Sequence, residues 1–172
     1  MANIFGRSNQ DLPDDKICIS DLGTNVLISV LVLAGSALAE TETQKQLIVW
    51  LAEHDQFIGE GFVGFDLSDM PWNPETFDAD RKFMVQVVDA ASVRTGWEKL
   101  PYAPNEPHLR PMLGWFHKAF MRLKKDDLSP DARADWLSDM EPDDPALNGF
   151  PRCEKHGCFL TYLGCQVCHA RN

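Results

Sequence analysis

The sequence predicts a mainly α-helical protein, a compact bundle of four to five helices with one aromatic and glycine-rich loop and a small C-terminal appendage. Two observations lead to this prediction. In several segments, apolar residues recur at the three- and four-residue spacing of a helix face. The composition is that of a globular chain, because 44 % of its 172 residues are hydrophobic and 24 % are charged.

The chain divides into four predicted segments. These are a flexible arm at residues 1–15, a helical domain at 16–140, an acidic linker at 141–151 and a cysteine-rich tail at 152–172. The arm is polar and the linker is rich in proline and acidic residues, which are the features of connecting segments. The five tryptophans and ten phenylalanines of the chain supply enough apolar surface for a well-packed core.

The helical domain begins with a predicted strand and two predicted helices. Lys16–Ser20 alternates polar and apolar residues, as a short strand does. Ser20 and Asp21 offer side-chain oxygens that can cap the helix that follows. Thr41, with Gln44 three residues later, fits a capping box at the start of the second helix. Because no proline separates these two helices, they could also merge into one long bent helix.

Three more helices are expected further along the domain. The first extends from Pro74 or Thr76 to Arg94, and the second covers Leu109–Lys125. The third is a short helix that we expect Ser129 to cap. Together with the first two helices, these segments account for the predicted bundle.

The first predicted helix contains a strongly apolar run, Val26–Ala39, that needs a separate interpretation. Its Ala-Leu-Ala ending resembles a signal-peptidase site, but the preceding residues lack the short basic region of a secretory signal. The run is also short for a membrane span. We therefore expect a buried core helix and no membrane partner.

The loop between the second and third helices is the best candidate for a binding surface in the helical domain. Loops that combine aromatic and acidic side chains often carry function. Alternatively, the acidic residues cap a turn while the aromatic residues fill the core, and we favour this second interpretation. The glycines of the loop have the order G-x-G-x-x-G, but no strand precedes them, so we do not expect a dinucleotide site. The candidate binding residues are Phe62, Phe65, Asp66, Asp69 and Trp72.

The tail contains four of the five cysteines of the chain, and their spacing predicts a metal site. Cys153 and His156 are separated by two residues, and so are Cys165 and Cys168. A two-residue gap lets both side chains of a tight turn point at one ion, and two such turns complete a tetrahedron. Thiolates and an imidazole in this arrangement select Zn²⁺. Residues 159–163 have strand character, so we expect a small β-hairpin to join the two turns.

The spacing resembles a treble-clef or zinc-ribbon knuckle pair over residues 153–168, a local resemblance that implies nothing about the rest of the chain. Four protein ligands leave no open position, so a structural zinc is expected rather than a catalytic one. Cys158 and His169 are spare candidates that could each replace one of the four ligands. Two disulfides, for example Cys153–Cys168 and Cys158–Cys165, are the alternative in an oxidising compartment.

The charge distribution limits the partners of the helical domain. The chain has a formal net charge of −10. Residues 1–150 carry 13 Lys or Arg residues and 25 Asp or Glu residues, a charge of −12, and the tail carries +2. A domain with this much negative charge repels the phosphates of nucleic acid. The charge would suit binding to a basic protein partner, or it keeps the protein soluble.

These features favour a non-enzymatic cytoplasmic protein-binding module, in its most concrete form an acidic immunity or inhibitor protein against a basic toxin. No Gly-x-Ser-x-Gly, P-loop or His-Glu-x-x-His pattern occurs, and no catalytic residue is assigned. One alternative is an enzyme of unrecognised type that uses the loop and His54. The other is a nucleic-acid-associated factor whose tail supplies charges and stacking rings from Arg152, Lys155, Arg171, Phe159 and Tyr162.

Overall fold

The computed structural model describes residues 2–8, 15–54 and 64–170. In this part of the chain the protein is mostly helical, with six helices and one two-stranded antiparallel sheet, which confirms the predicted helical class. The elements in chain order are β1 (Ala2–Gly6), β2 (Lys16–Ser20), α1 (Asp21–Leu38), α2 (Glu42–Glu53), α3 (Phe77–Ser92), α4 (Glu106–Arg122), α5 (Ala132–Ser138) and α6 (Gln166–His169).

Strand β1 corrects the prediction of a flexible arm for its first residues. It pairs antiparallel with β2 in a register that places Ala2 opposite Ser20 and Gly6 opposite Lys16. Phe5 is fully buried, and its ring packs edge-on against Phe65 with centroids 5.0 Å apart. The strand is held by contacts with residues far along the chain, which its own short sequence does not reveal. Residues 9–14 of the predicted arm lie outside the described part.

Helices α1 and α2 begin where their capping residues predict. The Ser20 hydroxyl oxygen accepts a hydrogen bond from the Gly23 backbone N–H at 3.2 Å. Thr41 and Gln44 form the predicted capping box. The two helices are separate and do not merge, because Ala39 adopts an extended conformation (φ −68°, ψ 125°).

Helix α1 is the centre of the helical body, by which we mean residues 2–140 as far as they are described. It contacts α2, α3, α4, both strands and α6. Its side chains are buried on all sides, as expected of a helix that is apolar all round. By length and composition α1 could cross a membrane. However, 72 % of its 18 residues are buried inside the protein. Core helices and signal sequences both pass this test, so the property does not assign α1 to a membrane.

The other long helices are shifted slightly from their predicted limits. Helix α3 ends at Ser92, two residues before the predicted Arg94. Helix α4 begins at Glu106, three residues early, because the Asn105 side chain accepts a hydrogen bond from the His108 N–H at 3.2 Å. This cap lies upstream of the apolar pattern from which the helix start was predicted.

Helix α5 begins at Ala132, and the predicted cap, Ser129, does not cap it. The Ser129 N–H donates to the Ser68 carbonyl at 3.0 Å, and its hydroxyl donates to the Asp69 carboxylate. Ser129 therefore binds the loop between α2 and α3, and its oxygen is used in a long-range contact. The local sequence pattern does not show that Asp69, and not the N-terminus of α5, is the partner of the Ser129 hydroxyl.

Candidate metal centre

The first turn of the tail presents Cys153 and His156 on the same side. The Gly157 N–H donates to the Cys153 carbonyl at 2.8 Å, and the Cys153 N–H donates to the Cys158 carbonyl at 2.8 Å. Gly157, immediately after His156, has φ +69°, a left-handed conformation that glycine adopts without strain. These two hydrogen bonds close a tight turn around residues 153–158.

The second turn brings Cys165 and Cys168 to the same point. Cys165 lies immediately before the short helix α6, and Cys168 lies within it. An isolated antiparallel bridge joins Arg152 with Phe159 at the base of the first turn, and a second joins Thr161 with Gly164 between the two turns. The predicted β-hairpin is therefore not present as paired strands, and the local connection rests on single bridges.

The structure brings together the four predicted ligands. The Nδ1 atom of His156 lies 3.7 Å from Cys153 Sγ, 3.6 Å from Cys165 Sγ and 3.4 Å from Cys168 Sγ. The sulfurs of Cys153 and Cys168 are 3.8 Å apart. All four ligand atoms lie within 4.8 Å of one another, so the cluster could hold one metal ion.

Burial shapes the acid–base properties of this cluster. His156 and Cys165 are buried, Cys153 is half-buried and Cys168 is exposed. Partial desolvation of the Cys168 sulfur, with a further contribution from the hydrogen bond with Cys153, raises the pKa of Cys168 to about 11. Burial and the positive charges of Lys155 and Lys99 lower the pKa of His156. A bound cation would reverse the balance at the thiols by stabilising thiolates, with release of their protons.

The two spare candidates lie outside the cluster. Cys158 is fully buried, and its thiol lies 4.0 Å from the His156 carbonyl oxygen, to which it donates. His169 is exposed beside Gly164. All five cysteines are free thiols in the structure. The 3.8 Å separation between the sulfurs of Cys153 and Cys168 is far longer than a disulfide bond of about 2.05 Å.

The tail packs against helix α1 through hydrogen bonds and buried apolar side chains. The Ser36 hydroxyl accepts from the Phe159 N–H at 3.2 Å, and the Ser29 hydroxyl accepts from the Gln166 side chain at 3.3 Å. Arg152 donates to the Ser36 carbonyl, and its guanidinium lies 4.2 Å from the centre of the Phe159 ring. Both serines are buried, so their hydroxyls find partners inside the protein.

Sequence reasoning missed these two serines, although a signal for them exists. Ser29 and Ser36 are seven residues apart in an apolar helix, which places them on one face two turns apart. Polar residues on one face of an otherwise apolar helix indicate that something with hydrogen-bonding groups covers that face. Here the tail covers it.

The predicted binding loop lies largely in the interior. Phe65 and Trp72 are buried, and the indole N–H of Trp72 donates to the Leu67 carbonyl at 2.7 Å. Asp66 forms an isolated bridge with Gly6, and Asp69 accepts from the Ser129 hydroxyl. Phe62 lies outside the described residues. Phe65 and Trp72 match the core-filling part of the favoured interpretation, whereas the Asp66 side chain does not cap the turn that follows it. A role of the loop in binding stays a prediction.

Some of the residues named for the enzyme and the nucleic-acid alternatives have structural roles. The Nδ1 atom of His54 donates to the Trp50 carbonyl at 2.7 Å, and burial lowers the pKa of the ring. In the tail, Phe159 is buried, whereas Tyr162 is 63 % exposed. Arg171 lies outside the described residues. His54 and Phe159 thus have internal contacts that account for them without catalysis or base stacking.

The fold and the cluster define a mainly helical protein with a site of three cysteines and one histidine that could hold a metal ion. No protein-family model, no characterised protein and no solved structure is significantly similar to the chain.

Proposed function

We propose that the protein is a non-enzymatic binding protein whose tail is held in place by one structural zinc ion. The observation that supports zinc binding is the set of distances among the four candidate ligand atoms. Zn–S bonds of about 2.3 Å and a Zn–N bond of about 2.05 Å, arranged tetrahedrally, require S···S and N···S separations of about 3.8 Å and about 3.6 Å. The separations found are 3.8 Å between two sulfurs and 3.4, 3.6 and 3.7 Å between nitrogen and sulfur.

The donor set supports zinc and a structural role. Three thiolates and one imidazole are soft and borderline ligands that favour Zn²⁺ over Mg²⁺ or Ca²⁺. Four protein ligands fill a tetrahedral ion and leave no position for water or substrate. The tail buries few apolar side chains of its own, so metal binding would contribute much of its folding free energy.

Native mass spectrometry of the gently purified protein tests the zinc. We expect a mass that exceeds the apo chain by one zinc ion, and loss of that ion in Cys165→Ser. The matched control is Cys18→Ser, because Cys18 is an exposed free thiol on β2 and should leave the zinc in place. A metal-free mass lower by about four hydrogens would mean two disulfides and would contradict the proposal.

The partner of this binding protein is proposed to be a basic polypeptide in the cytoplasm. The net charge of −10 supports fast association with a positively charged partner. Zinc held by thiolates suits a reducing compartment. An immunity or inhibitor protein that neutralises a basic toxin is the most concrete form of this proposal.

Purification of the protein from its own cells tests the partner. We expect a polypeptide of high isoelectric point bound in a fixed ratio and released by high salt, because the attraction is electrostatic. Recovery of nucleic acid in place of such a polypeptide, or binding of single-stranded nucleic acid by the tail at low salt, would contradict this part of the proposal.

A further inference from the structure

A cavity of about 540 Å³ opens where the helical body meets the tail. Its size is in the range of ligand-binding pockets. The end of α2, helix α5, the segment at 139–145 and the turn of the tail at 161–162 all contribute to its walls. Its walls include Glu53, Trp136, Asp144, Thr161 and Tyr162.

The cavity combines aromatic walls with a carboxylate held in a fixed orientation. Trp136 and Tyr162 supply the two rings, and Tyr162 is 63 % exposed. The Glu53 carboxylate accepts a hydrogen bond from the Trp136 indole N–H at 2.8 Å. Aromatic rings beside carboxylates form a surface that binds cations through both charge and ring faces.

The Asp, Glu, Lys, Arg and His side chains described in the walls of the cavity are all acidic. Five of its lining residues are Asp or Glu, and none of the described lining residues is Lys, Arg or His. Asp144 is buried, and its carboxylate accepts from the Ala146 N–H at 2.8 Å. Burial, together with the negative charge of Asp144, raises the pKa of Glu53 to about 7. A cation in the cavity would relieve this unfavourable burial of negative charge.

A metal ion is a poor occupant for this cavity. Among the described residues, the only group of three or more Cys, His, Asp or Glu side chains placed to share an ion is the cysteine–histidine cluster of the tail. The carboxylates of the cavity are too dispersed for that purpose. An organic cation with an apolar stem can use both the rings and the separated carboxylates, and the planar guanidinium of arginine does this best.

We propose that this cavity receives an arginine side chain of the basic polypeptide partner. The inference rests on the proposed function in one respect, the basic nature of that partner. The guanidinium stacks on Trp136 or Tyr162 and pairs with Glu53 and Asp144, so a flexible arginine becomes ordered between rings and carboxylates. Thr161 and Tyr162 lie between the ligands His156 and Cys165, so the tail wall of the cavity depends on the metal centre.

Titration of the zinc-loaded full-length protein with N-acetyl-arginine methylamide, followed by ¹H–¹⁵N NMR, tests the cavity directly. The reporter is the Trp136 indole N–H signal, which a Trp136→Phe variant assigns. We expect this signal to shift in a saturable way, and Glu53→Gln to weaken the binding about tenfold because it removes a charge-assisted contact. The matched control, Glu75→Gln, removes an exposed carboxylate outside the cavity and should leave the affinity unchanged.

Several outcomes would overturn the inference. An equal shift with uncharged N-acetyl-norleucine methylamide would show an apolar site, and an equal shift with Mg²⁺ would show a metal site. Absence of any shift would show that the cavity takes no cation. If a basic partner co-purifies with the wild type and equally well with Glu53→Gln, the cavity inference fails and the proposed function stands. If the arginine probe binds but no basic partner exists, the proposed function fails, and the cavity binds a guanidinium but does not receive it from that partner.

Discussion

The helical body packs apolar side chains against most of α1, whereas the tail buries few side chains and covers the one face of α1 that carries Ser29 and Ser36. In the body, Leu27, Ile28, Val30 and Leu31 are fully inaccessible to solvent. In the tail, Phe159, Cys165 and Val167 are buried against the body. Each fully buried large aliphatic side chain contributes about 1.5–3 kcal/mol, so the body can be stable through burial alone.

The tail needs other sources of stability. Its local bridges are isolated, and its helix α6 is a single turn. A metal ion coordinated by four side chains can supply about 10–16 kcal/mol of apparent free energy in small zinc domains. The body is held by apolar burial, and we propose that the tail is held by a metal ion; four changes test this difference between the two regions.

Removal of the metal should have the largest effect and should affect mainly the tail. In the presence of a strong chelator, we expect backbone amides of residues 153–169 to lose protection from hydrogen exchange. The amides of α1 and α3 should stay protected and far-UV circular dichroism should retain most of its helical signal. Exchange measured by NMR with and without chelator provides the check. Loss of helical signal together with tail protection would show that body and tail form one cooperative unit.

Leu31→Ala should damage the body without touching the metal centre. It opens a cavity in the fully buried face of α1 and should lower the free energy of unfolding by about 2–5 kcal/mol. Urea unfolding of the zinc-loaded protein measures the change, and metal analysis should still find one equivalent. A variant that folds but binds no metal would mean that the core sets the ligand geometry.

Glu53→Gln should change how stability depends on pH at the junction of the two regions. The pKa of Glu53 is raised from 4.5 to about 7 in the folded protein, so the folded state binds a proton more tightly than the unfolded state. The stabilisation of the folded state by the protonated Glu53 carboxyl is fully present below about pH 4.5 and is lost as the pH rises through about 7. It amounts to at most about 3 kcal/mol of unfolding free energy. Urea unfolding at pH 5 and pH 8 measures it.

The Glu53→Gln variant should lack this decrease, because glutamine keeps the hydrogen bond from Trp136 and does not ionise. The difference in unfolding free energy between pH 5 and pH 8 should therefore be smaller in the variant than in the wild type. Equal pH dependence in the two proteins would show that the carboxyl of Glu53 is hydrated in the folded state.

Ser36→Ala should give the smallest effect and should weaken the contact between the regions. It leaves the buried Phe159 N–H without its acceptor, so we expect a loss of about 1–2 kcal/mol. The tail should also release its metal faster to a chelator, which a colorimetric chelator assay measures. The exposed Ser138→Ala is the control and should change stability by less than about 0.5 kcal/mol. Identical release rates in both variants would mean that the contact does not support the site.

The features predicted correctly from the sequence are those decided within a few residues of one another. Ser20 caps α1, and Thr41 and Gln44 form their capping box, because each of these contacts depends on local backbone geometry. The spacing of Cys153, His156, Cys165 and Cys168 also predicted that these four residues lie together, and the structure brings them into one cluster that could hold a metal ion. Metal identity, partner and cellular location stay predictions.

Apart from the Asn105 cap of α4, the main features that were missed are non-local. Strand β1 exists because Phe5 packs against Phe65 and Phe116, residues far away in the sequence. Ser129 looked like a helix cap and instead binds Asp69. The cavity beside Glu53 requires α2, α5 and the tail to converge, which no local pattern encodes.

The hydrogen bond between Ser36 and Phe159 also has a consequence for the order of folding. It joins residues 123 positions apart, whereas the α1–α2 and α3–α4 pairs join neighbouring elements. Contacts between distant residues form late, because the entropy of closing a long loop must be overcome first. We therefore expect two kinetic phases in refolding, a fast one for the helices and a slower one for tail docking, with the serine face of α1 exposed between them.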